Sequence, residues 1–257
     1  MTASRRSGFS LRWHAVAIAF PAVLALFFWS DPALAQARLR CGPFTPDVLG
    51  KPEPREDARA RKRFEQITRA LKTEAYRVLF LGDSITERFD PASWREHMAP
   101  RGVLNAGING DRTEHLRWRL EHGNLDGPPP QGVVVLIGTN DLGHGRTPEI
   151  AAEGIRLVVE SLRQRLSDSR ILLLGLLPRS ASPEAHLRRA VGAVNRLIKN
   201  CDDGGAVRYA DIGAVLLDPD GRLRRAISPD TLHFSPRGYA RLAPRLDSLI
   251  DRDLNRR

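Results

Sequence analysis

Ser84, Gly110, Asn140, Asp230 and His233 are the residues of this chain whose types could together do nucleophilic chemistry. Ser84 follows the apolar run Val78-Leu79-Phe80-Leu81 and the pair Gly82-Asp83. A serine hydroxyl is a poor nucleophile until a base takes its proton and something rigid aims it. The end of a buried strand is where chains often mount such a group. His233 offers the base, because a neutral imidazole accepts a proton near pH 7. Asp230, three residues earlier, can reach the other ring nitrogen, fix its tautomer and stabilise the imidazolium. A developing oxyanion would need donors, each worth about 2.7–4 kcal/mol of barrier. The backbone N–H groups of Ser84 and Gly110 and the amide of Asn140 are the candidates, glycine allowing the closest backbone approach. Singly, each has a plainer reading: Ser84 as a helix cap, Asp230 as a turn former after Pro229, His233 as a packed loop histidine. Gly107 and Gly110 would then be turn residues and Asn140 a satisfied loop amide. Together they outweigh those readings.

Those residues need elements to hold them. Phe64, Ile67 and Leu71 recur at spacings of three and four, predicting a helix over Glu56–Thr73. Short apolar runs predict strands at Arg77–Leu81, Val103–Ile108, Val133–Ile137, Ile171–Leu177 and Val207–Ala210. Helices are predicted over Thr113–His122, Pro148–Leu166, Pro183–Asn200 and Pro236–Ile250. Continuous apolar strands separated by helices are those of an α/β protein with a parallel, doubly wound sheet of five strands. Ligands bind beyond the carboxyl ends of such strands. Gly82-Asp83-Ser84, Asn105–Asp111 and Gly138-Thr139-Asn140-Asp141 follow the first three strands, and Asp230–His233 precedes the last helix.

Gly82-Asp83-Ser84-Ile85 lacks the second glycine of the G-x-S-x-G elbow. The four polar clusters, in this order and spacing, resemble the blocks of the SGNH (GDSL) hydrolase superfamily from about Tyr76 to Ile250. Asn105–Thr113, Trp118-Arg119-Leu120 and Leu174–Arg179 resemble its platelet-activating-factor acetylhydrolase catalytic-subunit branch. The resemblance implies a flavodoxin-like three-layer α/β/α sandwich, with Ser84 as nucleophile and Asp230 and His233 completing a triad. It implies Ser84, Gly110 and Asn140 as oxyanion donors, and neither metal nor organic cofactor. Asp141-Leu142-Gly143-His144 departs from that branch in a loop that can border the acyl pocket, so acetyl selectivity and a phospholipid substrate do not carry over.

The first 35 residues read as a secretory signal. Arg5, Arg6 and Arg12 precede the apolar run Ala15–Trp29, and Ala33-Leu34-Ala35 suits cleavage after Ala35, with Ala37 the other choice. An uncleaved anchor would need roughly 20 apolar residues, and Pro21 interrupts this run. Residues 36–54, with four prolines, read as an extended leader, and residues 55–257 as the hydrolase domain. Export, to the periplasm or beyond, would permit a disulfide between Cys41 and Cys201; two separate thiols are the alternative. No Cys/His spacing suggests a metal site.

Net charge is +10, and 36 of the 40 basic residues are arginine. Residues 1–35 hold three arginines and one aspartate, so the remainder has 37 basic and 29 acidic residues, or +8. Such a surface attracts anionic envelope material weakly. The arginines are spread out and not gathered with aromatics, which argues against specific nucleic-acid binding. The expectation is therefore an exported serine esterase acting on a small-molecule, lipid or glycan ester, short acyl chains being suggested by the absence of a long apolar lid. A polysaccharide O-deacetylase, or a lysophospholipase or thioesterase, is the alternative within the enzyme class. An inactive module binding envelope polymers is the alternative outside it.

Overall fold

The computed structural model describes residues 1–2, 41–45 and 51–254. The expected signal segment and much of the expected leader lie outside the described residues. The elements run α1 (Ala58–Thr73), β1 (Val78–Gly82), α2 (Ser84–Glu87), α3 (Pro91–Ser93), β2 (Val103–Gly107), α4 (Thr113–Glu121) and β3 (Gly132–Leu136). They continue α5 (Thr139–Gly143), α6 (Pro148–Arg165), β4 (Arg170–Leu174), α7 (His186–Ile198), β5 (Val207–Ala210) and α8 (Pro236–Leu249). Among the described residues, no helix is long and apolar enough to cross a membrane.

All five strands are parallel, in the order β2-β1-β3-β4-β5. This is the flavodoxin-like order, whose direction of winding reverses beside β1. Alternate residues of each strand feed two cores, as a period of two dictates. Leu79, Leu81, Val133, Val135, Ile171 and Leu173 pack with Ile67, Leu116, Ile155 and Val194 of α1, α4, α6 and α7. Val78, Phe80, Val134, Leu136, Leu172 and Leu174 pack on the opposite side with Phe89, Tyr239, Leu242 and Leu246. Helices on both faces make a three-layer α/β/α sandwich. Cys41 and Cys201 are joined by a disulfide that ties residues 41–45 to the short turn after α7, their Cα atoms 4.7 Å apart.

Two predicted elements differ by three residues at one end, the others by no more than two. β4 stops at Leu174, not Leu177, because its pairing with β5 ends at Leu174 and Ala210. The Asn195 side chain then replaces the ladder, accepting from the Leu176 N–H at 2.7 Å and donating to the Leu176 carbonyl at 3.0 Å. α7 starts at His186, three residues after Pro183. The short helices α2, α3 and α5 carry too few turns to show a period.

Candidate active site

β1 delivers Ser84 to the carboxyl edge of the sheet. Asp83 caps α2, its carboxylate accepting from the Ile85 N–H at 2.9 Å, and this fixes the serine at the first helical position. The next element over has to come very close: a Cβ on Gly107 would collide with the backbone of Glu87. α8 braces the serine from the other face, where the Tyr239 hydroxyl donates to the Ile85 carbonyl at 2.7 Å.

His233 lies in the loop leading to α8. Its Nε2 is 2.9 Å from Ser84 Oγ, and its Nδ1 is 2.6 Å from Asp230 Oδ2. The other Asp230 oxygen accepts the backbone N–H groups of His233 at 2.7 Å and Leu232 at 3.0 Å. Burial raises the Asp230 pKa, but these bonds from His233 and Leu232 outweigh it and hold the pKa down at about 2. An ionised carboxylate facing Nδ1 keeps the proton on that nitrogen, so Nε2 presents its lone pair to the Ser84 hydroxyl. Ser84 is only 2% exposed, whereas the side chains of His233 and Asp230 are 28% and 55% exposed.

The oxyanion candidates come from β2 and β3. Gly110 has φ +82°, a left-handed conformation suited to glycine, and a Cβ there would lie 2.6 Å from Arg55 Nη1. Arg55 also donates to the Asn109 carbonyl at 3.1 Å. The Asn140 amide donates to the Asp111 carbonyl at 2.9 Å, which couples the two loops and leaves its second N–H for another acceptor. The backbone N–H groups of Ser84 and Gly110 bond to no other described residue.

Behind these loops lies a buried network. Arg119 donates to Asp111 at 2.8 Å, to Asn124 at 2.7 Å and to the Gly82 carbonyl at 2.9 Å, tying the Gly110 loop to the strand that ends before Ser84. Asp141, next to Asn140, accepts from the Thr113 hydroxyl at 2.7 Å and from Arg146 at 2.9 Å. Burial pushes Asp83 up to about 7, against the Ile85 N–H and with Asp111 and Asp141 adding to the rise. Burial likewise pushes Asp111 up to about 6 against the pull of Arg119.

Ser84, His233 and Asp230, all singled out in the sequence, thus form one hydrogen-bonded chain with His233 in the middle, and Asn140 meets the Gly110 loop through Asp111. Three arginines were given no role from the sequence, although Arg119 and Arg179 stand in the motifs that carry the resemblance. Arg119 left a readable trace, since it lies three residues from Leu116 on the apolar side of α4. Arg179 donates to the Thr139 carbonyl at 2.7 Å, and Arg188 donates to the carbonyls of Arg179 at 2.8 Å and Gly221 at 2.9 Å. Arg188 also bonds the carbonyl of Ser180, whose N–H donates to the Thr231 carbonyl at 2.8 Å. Ser180 and Thr231 have φ 68° and 62°, so the loop after β4 braces the histidine loop through two left-handed residues. Nothing local forecasts that contact.

Glu53, Glu114 and His115 place possible metal-ligand atoms within 4.8 Å of one another. Glu114 is already bound by two nitrogens of Arg146 at 2.6 and 2.8 Å, and His115 Nδ1 accepts the Arg112 N–H at 3.1 Å. This donor set is built as an ion-pair cluster and does not fit a metal.

Residues 80–241 match the model of the GDSL-like lipase/acylhydrolase family. The chain is 34% identical over 206 residues to platelet-activating factor acetylhydrolase IB subunit alpha1 of Bos taurus, covering 78% of this chain and 88% of that one. A GDSL-like lipase from Bacteroides thetaiotaomicron shares the fold, with a TM-score of 0.61 at 20% identity, over 74% of this chain and 96% of that one. So does an acetylxylan esterase from Geobacillus stearothermophilus, with a TM-score of 0.55 at 20% identity, over 70% and 96%. The chain therefore belongs to the GDSL-like lipase/acylhydrolase family, the SGNH hydrolases, and is a carboxylic ester hydrolase.

Proposed function

We propose that this chain is an exported serine esterase that removes short acyl groups through an acyl-enzyme on Ser84. One observation carries the reading: the unbroken hydrogen-bond chain from Ser84 Oγ through His233 to Asp230. Ser84 Oγ attacks the ester carbonyl carbon while Nε2 of His233 takes its proton. The imidazolium keeps its Nδ1–H on Asp230. The carbonyl oxygen, now an oxyanion, receives the N–H groups of Ser84 and Gly110 and the Asn140 amide. The intermediate collapses, the C–O bond to the alcohol breaks, and Nε2–H protonates the leaving oxygen. Water then gives its proton to His233, adds to the acyl carbon, and the second collapse releases the acid and restores Ser84.

Short acyl chains are favoured by two relatives' names, an acetylhydrolase at 34% identity and an acetylxylan esterase sharing the fold. Export is supported by the signal-like pattern of residues 1–35 and by the disulfide, a bond at home in oxidising compartments. Ser84→Ala should lower p-nitrophenyl acetate hydrolysis by at least ~10³-fold and abolish labelling by a fluorophosphonate. A variant that keeps the original rate would overturn the assignment.

A further inference from the structure

α8 leaves the catalytic edge directly: its cap is Ser235, two residues after His233, and its Tyr239 holds the residue beside Ser84. Its apolar residues Tyr239, Leu242, Ala243, Leu246 and Leu249 are buried. Its exposed face carries Arg237, Arg241 and Arg245. At 1.5 Å rise per residue these arginines are spaced about 6 Å apart in one row.

None of the three forms an ion pair or hydrogen bond with a described residue. The acids near the far end of the helix are engaged elsewhere, Asp247 with Arg101 at 2.5 Å and Asp253 with Arg252 at 2.7 Å. Arg225, also exposed, precedes Ala226, whose carbonyl accepts the Ser235 hydroxyl at the head of the row. Like charges four residues apart disfavour a helix, so the row opposes the stability of its own element.

On the basis of the esterase reading, we infer that this ridge, which runs along the outer face and ends with Arg237 near the edge where Ser84 lies, binds an O-acylated acidic polysaccharide and leads its carboxylate-bearing chain up to that edge. A guanidinium pairs with a carboxylate through two parallel N–H donors. One exposed pair of this kind contributes little. A row of them gains only on a ligand that repeats its charge, because the later contacts form at high effective concentration. A bilayer fits less well: between the arginines the face offers Ala240, Pro244 and Ser248, with no large apolar side chain to enter lipid.

The test compares acetylated polygalacturonate with acetylated xylan matched in acetyl content, using the mature protein and the variant Arg237→Ala/Arg241→Ala/Arg245→Ala. The unaltered protein should show about a tenfold higher kcat/KM on the charged polymer at low salt, and ~0.5 M NaCl should erase the advantage. The variant should lose that advantage while keeping its rate on acetylated xylan and its melting temperature. An advantage retained by the variant, or one absent from the unaltered protein, overturns the inference. Ser84→Ala separates it from the esterase reading: co-sedimentation of that protein with deacetylated polygalacturonate should need the three arginines whether or not any ester is cleaved. Binding to phosphatidylglycerol vesicles, with none to the polymer, would overturn it in favour of a lipid surface.

Discussion

Between Ile227 and Ser235 the chain is held mainly by its own backbone and short side chains. The Ser235 N–H donates to the Ile227 carbonyl at 2.9 Å, the Ser228 hydroxyl to the His233 carbonyl at 2.8 Å, and Asp230 gathers two N–H groups from its own turn. Between Gly107 and Asp141 the support is buried charge: Asp111 on Arg119, and Asp141 on Thr113 and Arg146. Both regions converge on Ser84. The histidine side is half-exposed and local, which suits a group that must exchange protons with substrate and water. The proposed oxyanion side rests on the buried side chains of Asp111, Arg119 and Asp141, which suits donors that must be aimed before charge develops. An exposed site can lose a residue with little cost to folding, whereas a buried pair cannot.

That contrast can be broken in order of effect. Asp230→Asn should lower kcat by ~10⁴-fold, through the wrong imidazole tautomer, with only a small fall in melting temperature at neutral pH because the carboxylate is half-exposed. A large loss of stability in a thermal melt would show that the histidine loop is not locally supported. Arg119→Met should do the reverse: it leaves Asp111 buried and unpaired, and denaturant titration should show a loss of about 3–5 kcal/mol. Next, Asn140→Ala should cost about 2.7–4 kcal/mol of barrier, read as a fall in kcat with little change in KM.

The smallest effect is the pH dependence of stability, which should have opposite signs at the buried Asp83 behind Ser84 and at the half-exposed Asp230. Asp83 is pushed by burial to about 7 from an ordinary 3.8, so its ionised form is disfavoured in the fold. Its contribution to stability therefore falls as pH rises from about 4 to 7. Asp230 is held near 2, so its stabilising contribution is present above about pH 4 and is lost as pH falls towards 2. Melting temperature against pH should lose part of its 4–7 slope in Asp83→Asn, Asp111 keeping another part, and should lose part of its acid limb in Asp230→Asn. Identical profiles for the two variants would remove the distinction.

The strands were legible because each is a short apolar run, and the clusters at their ends were legible because polar residues follow those runs abruptly. The overlong reading of β4 arose because Leu176 and Leu177 are as buried as the strand before them. Burial makes a residue apolar whether its backbone bonds a neighbouring strand or the Asn195 side chain. α2 and α5 were hidden for another reason, since four or five residues complete barely one turn.

What the sequence by itself determined is local: the alternation of strands and helices, and the serine, histidine and aspartate placed beside their ends. Only the tertiary structure decided that Arg119 reaches Asp111 and the Gly82 carbonyl, and that Ser180 meets Thr231. It also decided that α8 turns three arginines outward in a row that begins near the catalytic edge. Those facts depend on which distant segments pack together, and packing is settled by the cores on the two faces of the sheet, not by the residues that use the result.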